Sequence, residues 1–169
     1  TAQLAGAITL STTATSNFTL DNTNTNVILA AGTVNGALSV ATGGTITQSG
    51  ALTVTGVSSF TTDATDKVIT LSNTGNNFGG AVTFSTTGGS GDVTIDNDTN
   101  ALVLTGTING SLTVLNGAAV SDTGTFRVTG TSSFTSDATG ANFTFASADL
   151  EGAITTNTFA TSNFTLDNG

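Results

Sequence analysis

The chain alternates apolar and polar residues over short runs from end to end. Leu4-Ala5-Gly6-Ala7-Ile8-Thr9-Leu10 is the first run, Asn17-Phe18-Thr19-Leu20-Asp21-Asn22 the second and Asn26-Val27-Ile28-Leu29 the third. Period-two alternation marks a strand with one face buried. Each run ends in Gly, Asn, Asp or Thr, the residues of turns. No window carries apolar residues at helical spacing, and β-branched residues dominate, so the pattern predicts strands and no substantial helix.

The runs are organised by a long repeat. Gly50-Ala51-Leu52-Thr53-Val54-Thr55-Gly56-Val57-Ser58-Ser59-Phe60 returns as Gly124-Thr125-Phe126-Arg127-Val128-Thr129-Gly130-Thr131-Ser132-Ser133-Phe134, an offset of 124 − 50 = 74. Asn26 to Val40 returns as Asn100 to Val114 at the same offset. A pentad of Gly, a small residue, an apolar residue, Ser/Thr/Arg and a second apolar residue starts at Gly6, Gly36, Gly50, Gly80, Gly110 and Gly124, with a degraded copy at Gly152. The successive spacings are 30, 14, 30, 30, 14 and 28. An apolar residue stands two places before several of these glycines: Leu4, Val34, Phe78, Ile108 and Leu150. This reads as a corner, where glycine permits the bend and a positive φ. Asn35-Gly36 and Asn109-Gly110 read as corners too, because their flanks are not matched hairpin arms. Thr161 to Asn168 copies Thr15 to Asn22 at an offset of 146, so the 169 residues hold two periods and part of a third. The expectation is one β-solenoid segment over 1–169, a window of a longer array.

Short strands stacked by a long repeat predict an all-β fold, a right-handed parallel β-helix with coils about 4.8 Å apart. Three coils of about 25 residues per 74-residue period is the first expectation. Four coils of 18 or 19 is the competitor, and an antiparallel sandwich is the alternative architecture. Phe60 and Phe134, each after Ser-Ser, are expected to point inward at equivalent places.

Composition narrows the function classes. Charged residues are 8% of the chain and the net charge is −9, with Lys67 and Arg127 the two cations. Two scattered cations cannot build a phosphate-binding stripe, which excludes nucleic acid as a partner, and they give little hold on an anionic membrane. There is no Pro, Cys, Met, Trp, Tyr or His. Thiol chemistry, Cys-ligated metals and His-based triads are therefore excluded. No apolar run is long enough for a membrane span. No signal peptide is visible, so an export signal is expected outside this sequence.

In Gly50-Ala51-Leu52-Thr53-Val54-Thr55-Gly56, in Val68-Ile69-Thr70-Leu71-Ser72-Asn73 and in its Thr/Gly/Asn composition, the whole chain resembles bacterial β-strand-repeat surface proteins. These include filamentous-haemagglutinin-like and autotransporter-like adhesins. The resemblance implies export to the cell surface or beyond, a long fibre, and binding or matrix roles. It implies no shared catalytic residue. Further copies of the same repeat, in the same chain or in a homopolymeric filament, are the expected partners, with surface glycans as a further class.

Candidate chemistry is sparse. Gly88-Gly89-Ser90-Gly91-Asp92 resembles the start of a calcium-binding nonapeptide, but as one imperfect copy. Asp92, Asp96 and Asp98 offer hard oxygen ligands, yet they also read as residues that solvate a turn. Asp63, Asp66 and Asp137 recur at equivalent corners, and Asp149 and Glu151 lie together. Recurrence of an acid in each period argues for a structural corner rather than a carboxylate pair for glycoside chemistry. Asn17, Asn97, Asn109, Asn142 and Asn163 begin glycosylation sequons. Thr45/Thr47, Thr53/Thr55, Thr105/Thr107 and Thr129/Thr131 form Thr-X-Thr triplets, the unit of an ice-binding face. No catalytic, cofactor-binding or metal-ligating residue is assigned. The reading is a structural extracellular segment, the shaft of a surface filament or adhesin and not an enzyme. A glycan- or ice-binding module is the alternative, and a carbohydrate-active enzyme comes after it.

Overall fold

The computed structural model describes residues 3–169. Its strands are β1 (Ala7–Ile8), β2 (Phe18–Asp21), β3 (Val27–Leu29), β4 (Gly32–Val34), β5 (Leu38–Thr42), β6 (Ile46–Gln48) and β7 (Leu52–Val54). Then follow β8 (Ser58–Thr65), β9 (Ile69–Leu71), β10 (Asn77–Phe78), β11 (Val82–Thr87), β12 (Val93–Asp96) and β13 (Leu102–Ile108). The remainder are β14 (Leu112–Asn116), β15 (Val120–Val128), β16 (Ser132–Ser136), β17 (Phe143–Leu150), β18 (Ile154–Asn157) and β19 (Phe164–Asn168).

The strands wind into a parallel β-solenoid. Two eight-stranded sheets run its length, β1-β3-β6-β9-β12-β14-β16-β18 (the first sheet) and β2-β5-β8-β11-β13-β15-β17-β19 (the second sheet). A short third sheet, β4-β7-β10, closes one corner of the early coils. The described residues contain no helix.

Coil length settles between the two expectations. The pairing step is 20 from Leu38 to Ser58, 24 from Ser58 to Val82, and 19 from Val93 to Leu112. From Phe18 in β2 to Phe164 in β19 the second sheet takes seven steps over a sequence separation of 164 − 18 = 146, or about 21 per coil. A 74-residue period is therefore three and a half coils, neither three nor four. Repeat-equivalent strands consequently lie in opposite sheets. Ser58-Ser59-Phe60 of β8 is in the second sheet, while Ser132-Ser133-Phe134 of β16 is in the first. Two periods make seven coils and restore the face, which is why Phe18 and Phe164 share a sheet.

The core is one apolar column, as the alternation requires. Val27, Ile46, Ile69, Val93 and Leu112 stack inward from the first sheet. Val40, Phe60 and Phe84 stack from the second. Phe60 is 0% exposed and Phe134 1%, as their placement after Ser-Ser predicted. Phe60 packs edge-on to Phe78 at 5.9 Å and stacks on Phe84 at 6.0 Å. Phe134 touches Phe143, Phe145 and Phe164 at 6.2, 4.7 and 5.3 Å. Of the apolar residues before the corner glycines, Val34, Phe78, Ile108 and Leu150 are buried and Leu4 is exposed.

The corner glycines serve close approach more than positive φ. Gly36, Gly56 and Gly80 stack ahead of β5, β8 and β11. A Cβ on Gly56 would sit 2.8 Å from the Gly36 carbonyl, and one on Gly80 2.7 Å from the Gly56 carbonyl. Gly110, Gly130 and Gly152 repeat the column ahead of β14, β16 and β18, on the opposite side. None of these six has positive φ; among the pentad glycines only Gly124 does, inside β15.

Candidate functional surface

Polar side chains divide between two places, the corners inside the stack and the faces outside it. Inside, Asn22, Asn76, Asn97 and Asn116 are fully buried. Each satisfies backbone groups that the turn leaves unpaired, as a buried amide must. Asn76 accepts from Leu52 N at 2.9 Å and donates to Leu71 O at 3.1 Å and Asp96 O at 2.9 Å. Asn97 accepts from Phe78 N at 2.7 Å and donates to Ala101 O at 2.9 Å. Asn116 accepts from Asn97 N at 3.2 Å and donates to Asn100 O at 3.0 Å. Sequence reading took Asn as a turn residue. The available signal was the repetition of Asp21-Asn22 as Asp96-Asn97 beside a buried run.

Outside, hydroxyls align in register along the stack. Thr47, Thr70, Thr94, Thr113, Ser133 and Thr155 are successive neighbours on the first sheet. Thr19, Ser39, Ser59, Thr83 and Thr105 do the same on the second. The Thr-X-Thr triplets do not share a face. Thr47 lies on the first sheet, Thr53 on the short third sheet, Thr105 and Thr107 on the second, and Thr129 and Thr131 follow β15 at a corner.

The acids that sequence reading weighed are dispersed and engaged locally. Asp66 accepts from Ser90 N at 3.0 Å, and Asp92 from Ser111 N at 2.7 Å. Asp96 accepts from Asp98 N at 2.7 Å in a tight Asx turn that holds Asp98 at a φ of 54°. Asp96 is buried, and that burial raises its pKa, opposed by the Asp98 hydrogen bond and reinforced by the Asp137 and Asp98 charges. Asp149 and Glu151 are brought together by Arg127, which pairs with Asp149 at 3.1 Å and with Glu151. These partners are substantially exposed, so the pairs add little stability. Asp137 is exposed at the corner after β16, whereas Asp63, expected at a corner, is exposed within strand β8.

Among the described residues no three acids gather as a metal cluster, and no cleft or cavity opens. Of the five sequon asparagines, Asn97 is wholly buried and closed to modification in the folded chain. Asn17 and Asn142 use Oδ1 to accept from Ala37 N and Asn163 N, both in the next coil.

A family model described as repeats of unknown function (DUF5649) matches residues 15–85 and again residues 90–161. The chain belongs to this family. Neither a curated protein nor a solved structure matches it. The boundary between the two DUF5649 units falls at the turn between β11 and β12, beside Gly88 at a φ of 84°. The equivalent turns hold Ala14 at 52° and Ala160 at 49°. Each unit supplies four strands to one long sheet and three to the other. The first unit gives β2, β5, β8 and β11 to the second sheet and β3, β6 and β9 to the first. The second unit gives β12, β14, β16 and β18 to the first sheet and β13, β15 and β17 to the second.

Proposed function

We propose that this chain is a structural segment, the shaft of an extracellular surface filament or adhesin of a bacterium. It works mechanically and catalyses no reaction. The observation that carries the reading is the continuity of the stack across the two family units. β11 pairs with β13 and β9 with β12 in parallel register, so the column runs through the boundary unbroken. Such a rod lengthens by about 17 Å per repeat, three and a half coils at about 4.8 Å each. Each repeat contacts only its neighbours, so added repeats lengthen the rod without new long-range contacts. Uncharged hydroxyl faces and few ionic groups suit a surface whose task is length and wetting. Further copies of the repeat, in the same chain or joined end to end, are the partners this geometry accepts.

The test of the location and the shape is antibody labelling of the source cells. Antibody against residues 1–169 should decorate intact cells along extended fibres. Reactivity appearing only after lysis, or confined to compact particles, would refute the shaft.

A further inference from the structure

We infer that the repeat is a half-turn phase element: one repeat more or fewer moves everything beyond it to the opposite flank of the rod. The basis is the register. Phe60 and Phe134 are equivalent in sequence, yet β8 lies in the second sheet and β16 in the first. The glycine columns agree. Gly36, Gly56 and Gly80 precede strands of the second sheet, while Gly110, Gly130 and Gly152 precede strands of the first. The hydroxyl rows agree as well. Thr19, Ser39, Ser59 and Thr83 front the second sheet in the first repeat, and Thr94, Thr113, Ser133 and Thr155 front the first sheet in the second.

The half turn accrues because the chain visits the two long sheets alternately and each repeat supplies seven strands to them, an odd number. Within a repeat a coil passes from a four-strand set to a three-strand set and back. At the seam β11 is followed directly by β12, with both strands belonging to four-strand sets. The intervening turn holds Gly88 at φ 84°; Ala14 and Ala160 hold the same conformation between β1 and β2 and between β18 and β19. Even numbers of repeats therefore return a distal module to the starting flank, and odd numbers place it opposite. The repeat number sets facing as well as reach. This does not depend on where the protein resides, so it can fail or stand apart from the shaft reading.

The chain has no cysteine, so introduced thiols take spin labels uniquely. Labels at T19C with T144C, and at T19C with T155C, are measured by pulsed dipolar spectroscopy. Thr19 and Thr144 front the second sheet, whereas Thr155 fronts the first at nearly the same height. In the 169-residue chain the Thr19–Thr144 distance should be the shorter. The other pair must also cross the roughly 10 Å between sheets. A second copy of residues 15–88 inserted after Gly88 adds one full 74-residue period. The Thr19–Thr144 distance should then grow by more than the axial rise of about 17 Å, because it gains the crossing, and the Thr19–Thr155 distance by less, because it loses it. Equal growth of the two distances overturns the inference. Should the longer chain fail to fold, S59C with S133C in the natural chain decides. A distance well beyond the axial rise of about 17 Å supports opposite flanks, and a distance close to that rise overturns them.

Discussion

Replacing Phe134 by Ala tests the core where it is densest. The ring is 1% exposed and touches Phe143, Phe145 and Phe164. Truncating a buried Phe to Ala costs about 3–5 kcal/mol, and each lost aromatic pair adds about 0.5–1.5 kcal/mol of specific interaction within that range. With three ring partners, Phe134→Ala should fall near the upper end of about 3–5 kcal/mol. Phe60→Ala loses two ring partners and should fall somewhat lower. Urea unfolding followed by far-UV circular dichroism reads the difference. With a slope of about 3 kcal/mol/M, the midpoint for Phe134→Ala should drop by about 1.5 M. Thr47→Ala, on the outer face, should change stability by less than about 0.5 kcal/mol. A loss below about 1 kcal/mol at both Phe positions, with an unchanged slope, would refute the stacked aromatic core.

Three further outcomes follow from the corners and the buried polar groups. Gly56→Ala should destabilise by at least about 1–3 kcal/mol because its Cβ meets the Gly36 backbone, whereas Gly89→Ala, with open space around it, should be nearly neutral in the same unfolding assay. Asn76→Ala should cost more than about 2 kcal/mol by stranding Leu52 N and Asp96 O, while Ser58→Ala and Ser132→Ala should be neutral or stabilising by up to about 1 kcal/mol, since both hydroxyls are buried without a partner. Burial raises the Asp96 pKa in the folded chain, so its contribution is fully present below the unfolded pKa and is lost as pH rises through the folded value; Asp96→Asn, which keeps the acceptor for Asp98 N, should gain stability over the natural chain as pH rises through that window, and thermal melts at stepped pH check this.

The alternation and the repeat made the fold legible because both follow directly from burial. Inward Val, Ile, Leu and Phe on every second position leave a parallel stack as the economical way to use a 74-residue period. The coil number was not legible. Turns vary in length, so the step along a coil is 18 from Leu104 to Asp122 but 24 from Ser58 to Val82, and no constant spacing marks one circuit. A whole number of coils per repeat holds only if equivalent sequences share one face. Each repeat supplies seven strands to the two long sheets, and that odd number breaks the condition. The buried asparagines were hidden for a different reason. Asn favours turns and also caps backbone groups within a core, and composition does not separate the two.

The central claim is a single parallel solenoid in which a three-strand set of one repeat stacks on a four-strand set of the next. Engineered disulfides test it most directly. Thr70 and Thr94 are register neighbours across the boundary in the first sheet, and Thr83 and Thr105 in the second. Adjacent strands lie about 4.8 Å apart, within the span a disulfide bridges. T70C/T94C and T83C/T105C should each oxidise to an intramolecular disulfide in a folded, soluble chain, and T83C/T113C, whose members lie in different sheets, should not. Closure of the T83C/T113C pair, with both neighbour pairs remaining reduced, would contradict the half-turn stack.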